Sequence, residues 1–196
     1  LLRLLNGRGV VAQGFLPPGM PGHQPDLEGY PHDPARAQGI LAEAGYPKGF
    51  ETTLWVQQDD ESQRLAQSIQ QDLREVNIRL VIRPLAWAPF LEKIKQRGQV
   101  PFFRLGWQAD YPDASNFLET LLHSKNREAN NHTFFSNREV DELLDRASVA
   151  VNSAERMDLL RRAERRALVA TPWVFLYHPI DYVVIHPRVR DLRLHP

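Results

Sequence analysis

The chain has 196 residues, 24 Lys plus Arg against 24 Asp plus Glu, and no cysteine. That length predicts one globular lobe with a sizeable core, and a formal net charge of zero removes the broad positive field that nucleic-acid binding draws on. The missing cysteines exclude disulfide scaffolds, thiolate metal sites and cysteine nucleophiles together.

The start, Leu1-Leu2-Arg3-Leu4-Leu5, has neither an initiator Met nor a small-residue cleavage site, so the chain reads as an excerpt of a longer one. Apolar runs such as Trp173 to Tyr177 are far short of the ~20 residues that cross a bilayer. Residues 6–34 carry Gly and Pro too densely for a regular element, and residues 1–32 are expected to form an extended arm. Asp33-Pro34 then supplies an N-cap with Pro at the first helical position, and Ala37, Ile40, Leu41 and Ala44 step at helical spacing to Gly45. Thr52 to Gln57 is β-rich after the Lys48-Gly49 turn and predicts a strand. Leu65, Ile69, Leu73 and Val76 step by four, four and three and predict a helix from Glu61.

Ile78 to Arg83 reads as the next strand, Trp87, Phe90, Leu91 and Ile94 as a helix, and Phe102 to Trp107 as a third strand. Alternating strands and helices imply βαβ crossovers and an open, mainly parallel sheet. Phe117, Leu118, Leu121 and Leu122 predict a helix after the cap candidates Asp113 and Ser115. Val140, Leu143, Leu144, Ala147 and Val151 form another stripe, capped near Asn137 with Glu139 and Asp141 in its first turn. Ser153 to Val169 is a third helix, whose arginines (Arg156, Arg161, Arg162, Arg165, Arg166) are expected on a solvated face. Thr171 to Tyr177 and Tyr182 to His186 read as closing strands. One continuous core is expected, including Leu54, Ile69, Leu73, Leu80, Ile94, Leu105, Leu144 and Leu160.

The seven histidines fall at no metal-ligand spacing and read as scattered loop or surface residues. No GxSxG elbow, Walker-type loop or dinucleotide fingerprint follows a strand. Asp59-Asp60-Glu61 precedes a helix, where acids complement the dipole. The segment Arg104-Leu105-Gly106-Trp107-Gln108-Ala109-Asp110-Tyr111-Pro112-Asp113 leaves the carboxyl end of a predicted strand, the edge at which open α/β sheets bind ligands. Trp107 and Asp110 there offer an aromatic plane and a carboxylate, a pair suited to an ammonium group. A core Trp and a helix-capping Asp would fit the same residues.

Several motifs recur in order over almost the whole chain: Leu16-Pro17-Pro18-Gly19, Tyr30 through Asp33-Pro34-Ala35-Arg36-Ala37, and Leu41-Ala42-Glu43-Ala44-Gly45-Tyr46-Pro47. They continue with Gly106-Trp107-Gln108-Ala109-Asp110-Tyr111-Pro112-Asp113, Asn116-Phe117-Leu118 and Ser136-Asn137-Arg138-Glu139-Val140-Asp141-Glu142-Leu143-Leu144. With Glu155-Arg156 and Ala163-Glu164, this ordered set resembles the C-terminal lobe of the family 5 solute-binding proteins of ABC importers, a group that includes oligopeptide-, dipeptide- and nickel-binding proteins. Ala114, where many relatives have Pro, and Val100-Pro101, where an acid often begins the strand, depart from the pattern.

The resemblance implies a periplasmic-binding-protein type II lobe, an α/β fold with a mixed, mainly parallel sheet flanked by helices. Residues 33–196 would form that ligand-binding lobe, and residues 1–32 an arm continuing from a missing N-terminal lobe. It implies a non-enzymatic role, capturing a small solute, a di- or oligopeptide foremost, between two lobes for ABC permease subunits. The expected location is periplasmic or extracellular, with lipid anchoring through the missing N-terminus as one option. By the same resemblance Asp110 takes the peptide amino group beside Trp107, Gln108 and Ala109, and Arg104 meets the peptide carboxylate; no cofactor, metal or nucleic acid is implied. Two other functions fit the residues: a peptide-sensing regulator, and a hydrolase using Asp110 and Asp113.

Overall fold

The computed structural model describes residues 5–186 and 188–192. Strand β1 (Gly9–Val11) is followed by helix α1 (Pro34–Glu43), β2 (Glu51–Gln57), α2 (Asp60–Arg74), β3 (Arg79–Leu85), α3 (Trp87–Ile94) and β4 (Phe102–Phe103). Helices α4 (Ser115–Leu122), α5 (Arg138–Val149) and α6 (Ser153–Val169) and strand β5 (Tyr177–Pro179) follow, with a 3-10 turn at Ser124–Asn126. The sheet runs β3-β2-β4 with both pairings parallel, Leu54 opposite Ile82 on one side and Phe102 on the other. This is the βαβ arrangement that the alternation of elements predicts. A separate antiparallel ribbon pairs β1 with β5, Val10 opposite His178. Among the described residues no helix is long and apolar enough to cross a membrane.

Helix boundaries follow the capping chemistry. Asp33 accepts Arg36 N at 2.9 Å ahead of α1, and Asp59 accepts Ser62 N at 2.8 Å and Ser62 Oγ at 2.7 Å ahead of α2. Asn137 and Asn152 each accept two first-turn amides of α5 and α6. Helix α1 stops in a Schellman motif: Tyr46 N bonds Leu41 O and Gly45 N bonds Ala42 O, with Gly45 at φ +89°. In the next turn Gly49 (φ +71°) meets the backbone of Asn77 so closely that a Cβ would lie 1.9 Å from its carbonyl oxygen. Gly49 lets the chain entering β2 pass the one that enters β3.

Among the described residues the interior is two clusters rather than one continuous core, which corrects the sequence expectation. Leu54, Val56, Ala66 and Leu80 form the sheet cluster, with Ile69 and Leu73 half-buried against it. The helical cluster joins α4, α5 and α6, including Leu118, Leu122, Leu144 and Leu160, with Phe15 and Leu16 of the N-terminal segment. Ile94 is buried outside both, and Leu105 is only half-buried. Three parallel strands covered by two short crossovers close a small interior, and the helices beyond them bury their apolar stripes mainly on one another.

Other expectations also change. The Pro/Gly-rich segment contains β1, and its Ala12, Gly14, Phe15, Leu16, Gly22 and Gln24 are buried. Buried Glu164 of α6 accepts Phe15 N (2.9 Å), Leu16 N (3.3 Å) and Gln24 Nε2 (2.8 Å). Burial pushes the Glu164 carboxyl up, against the opposing pull of these donors. The α6 arginines are tethers as much as a solvated face: Arg156 binds Asp113, Arg165 binds Asp26 and Gln24, and Arg166 reaches Glu139. Val151 lies beyond α5 and is fully exposed.

The two closing strands reduce to β5, whose centre falls between the predicted runs. Trp173 and Phe175 pack on Phe15 without joining a ladder, their ring centroids 5.2 and 4.8 Å from it. His123 is not a surface residue: it is buried, with Nε2 at 3.1 Å from Asp145 and Nδ1 accepting Lys125 N at 3.1 Å. His132 and His178 are half-buried, and burial lowers the pKa of both.

Candidate functional site

The third parallel strand ends sooner than its β-rich sequence predicts. After Phe103 pairs with Trp55, Arg104 N makes a last bond to Trp55 O at 3.0 Å and the chain leaves the sheet. Trp107 and Ala109 turn instead to the helical cluster, against which both are half-buried. Residues 104–114 therefore bridge the two interiors and lead from the carboxyl edge of the sheet to the start of α4.

One side chain organises this bridge. Asn116, buried in the first turn of α4, accepts the Trp107 indole N–H at 3.1 Å and the Asp110 backbone N–H at 3.2 Å. Its amide donates to Asp110 Oδ2 at 3.5 Å. The indole and the Asp110 backbone are thus fixed from a single residue, and the Asp110 carboxylate touches it only through that long contact, while Gln108 and Asp110 remain exposed and Ala109 half-buried. Asn116 stands in the recurring Asn-Phe-Leu motif, but the sequence gives no sign that it connects Trp107 to Asp110. Helical spacing marks apolar faces and is silent on a polar residue within one.

Asp110 does not cap α4. Asp113, one residue before the N-cap Ala114, accepts Ser115 N at 2.8 Å through Oδ1, while Arg156 grips its two oxygens at 2.8 and 2.9 Å. The Arg156 guanidinium holds the Asp113 carboxyl well below the usual carboxylate range, partial burial opposing and Ser115 assisting. A carboxylate engaged in this way is a poor proton donor or acceptor for acid/base chemistry.

Arg104 belongs to a different group. Its guanidinium donates to Ser62 Oγ and Tyr177 OH, both at 2.9 Å, and lies 3.6 Å from Glu61 Oε1. Tyr177 in turn donates to Glu61, and burial, with Glu61 second, raises the tyrosine pKa. At Asp59, which caps the same turn, burial acts to raise the pKa but the Ser62 bonds and Arg104 outweigh it, so the net shift is downward. This network ties α2 to β5. Beside it opens a cleft of about 180 Å³ that includes Arg8, Glu61, Arg64, Tyr177 and Asp181. Trp107 and Asp110 are outside its lining, and the structure gives Arg104 and Asp110 separate sets of partners.

The family model for bacterial extracellular solute-binding proteins, family 5 (middle region), matches residues 2–129. Haem-binding protein A of Haemophilus influenzae is 33% identical over 189 residues, covering 94% of this chain and 34% of that protein. The dipeptide-binding protein of Escherichia coli K12 is 27% identical over 196 residues, 97% of this chain and 36% of that protein. The periplasmic binding protein DppA of Helicobacter pylori, solved with the peptide STSA, superposes with a TM-score of 0.85 at 26% identity, over 91% of this chain and 35% of that one. The chain spans about a third of the length of the curated relatives it matches.

Proposed function

Because the chain belongs to the bacterial extracellular solute-binding proteins of family 5, we propose that it forms one wall of a peptide site in the extracytoplasmic binding component of an ABC importer. The carrying observation is the Trp107–Asn116–Asp110 linkage: an indole and the backbone of an exposed aspartate fastened to the start of α4, on the segment that leaves the carboxyl edge of a parallel sheet. The carboxylate receives the peptide α-amino group and the indole lines the wall. An ammonium ion binds a carboxylate through charge-assisted hydrogen bonds, which strengthen when a second lobe closes and expels water. An open surface of this kind leaves much of a ligand in water, so this lobe alone binds weakly and does not turn substrate over.

Peptide is favoured over haem, although both occur among the names of the relatives. The propionate groups of haem are anionic and would face Asp110, whereas a peptide presents an amine. Gln108 and Ala109 form the rest of the strand-end surface. The role of Arg104 is to hold α2 against β5 near the site, with the peptide carboxylate as a second partner when ligand is present. The hydrolase reading loses ground because Asp113, one of its two carboxylates, is committed to Arg156 and Ser115. The loaded component delivers its peptide to the permease subunits.

Native mass spectrometry of the full-length protein, purified without denaturation, tests this reading. Retained masses matching short peptides, displaced by added dipeptides or oligopeptides, are expected. Retained haem with no peptide exchange would overturn it.

A further inference from the structure

At the far end of α2 from the Arg104 network, the fold brings together three residues that are distant in sequence. His32 of the N-terminal segment, Asp72 of the last turn of α2 and Glu75 at its C-cap each present one donor atom, and these atoms lie within 4.8 Å of one another. His32 Nε2 is 3.6 Å from Glu75 Oε2. We propose that these side chains bind one zinc ion, with water completing its coordination.

The chemistry of the donors selects the metal class. An imidazole with two carboxylates suits zinc, whereas calcium and magnesium prefer all-oxygen shells. In tetrahedral coordination two donors bound to one zinc at about 2.1 Å each are about 3.4 Å apart. The donor atoms, now within 4.8 Å of one another, therefore have to close by up to about 1.4 Å, which three exposed side chains can do by rotamer adjustment.

The electrostatics favour a cation at this point. Asp72 and Glu75 sit three residues apart at the negative end of the helix dipole, where carboxylates repel each other and the terminal carbonyls. Arg74, the basic residue of that turn, donates instead to Gln70 at 3.3 Å.

The position of the cluster is also constrained. Gln38 of α1 donates to Glu75 O at 2.8 Å, and Asp33, adjacent to His32, caps α1. Helix α1 therefore holds the histidine-bearing segment near the end of α2. The length of α2 puts the cluster roughly 20 Å from the Arg104 network, so the bound zinc acts as a structural clip between the N-terminal segment and α2, apart from the peptide site.

The test is calorimetric titration of the chelator-treated full-length protein with zinc chloride, on the wild type, His32→Ala and the double variant Asp72→Asn/Glu75→Gln. The wild type should take up one zinc per chain at this site, and each variant should weaken that uptake by about tenfold or more. Zinc should also raise the thermal midpoint of the wild type but not of the variants. Without zinc the double variant should melt at or slightly above the wild type, since it is relieved of the carboxylate repulsion, so only the shift on adding zinc is compared. Absence of saturable uptake by the wild type, or equal uptake by all three proteins, would overturn the proposal.

Discussion

Asn116 accepts the Trp107 indole N–H at 3.1 Å from inside the first turn of α4, so the wall of the candidate site is fastened to a helix rather than left on a mobile loop. The same oxygen accepts the Asp110 amide. Replacing Asn116 by Leu keeps the branching of the side chain but leaves two N–H groups without their partner. A loss of about 1 to 3 kcal/mol in stability is expected, read by urea denaturation. Peptide affinity should fall as well, because the segment that carries the carboxylate loses its anchor. Unchanged affinity in a folded Asn116→Leu protein would separate Asn116 from the site.

The Arg156–Asp113 pair predicts acid sensitivity. The Asp113 pKa is depressed in the folded state, so its contribution to stability is present above the unfolded carboxylate value near 3.9. It is lost as pH falls from there toward the lower folded value. Stability measured between pH 7 and pH 5 should therefore be insensitive to this group, with the loss beginning below about pH 4. Arg156→Ala should cost about 1 to 2 kcal/mol near neutral pH, the partly exposed position reducing the value for a charged hydrogen bond. In that variant the acid-induced loss below pH 4 should shrink.

Gly49 offers a purely steric prediction. Its φ of +71° and the 1.9 Å approach of Asn77 O to a built Cβ leave no low-energy position for a side chain. Gly49→Ala is expected to cost about 2 to 4 kcal/mol by forcing apart the chain segments that enter β2 and β3. Gly39, where a Cβ meets nothing within 4 Å, is the control, and Gly39→Ala in the middle of α1 should be neutral or mildly stabilising. Thermal unfolding of the two variants decides between them.

Elements governed by local rules were legible in the sequence. Asp59, Asn137 and the Asp33-Pro34 pair mark helix starts because capping depends on neighbours two or three residues away, and the parallel order follows from the alternation of strands and helices. Features set by tertiary contact were not. β4 is short because Trp107 and Ala109 are drawn to the helical cluster, a competition that the β-rich run from Phe102 cannot report. Likewise the Thr171–Tyr177 run supplies Trp173 and Phe175 to a ring cluster around Phe15 instead of a ladder. At the site, Trp107 and Asp110 were recognisable by type and position. Asn116 between them, Arg156 on Asp113 and Tyr177 on Arg104 depend on long-range packing and carry no spacing signal.

The central claim concerns one charge, and its most direct measurement is a two-by-two binding comparison in the full-length protein: wild type and Asp110→Asn, each titrated with a free peptide and its N-acetylated form. If the carboxylate receives the α-amino group in a closed, water-poor cleft, Asp110→Asn should cost about 2 to 5 kcal/mol with the free peptide. Acetylation should then weaken the wild type far more than the variant. Equal binding of both peptides by the wild type, or unchanged affinity in a folded Asp110→Asn protein, would contradict the account.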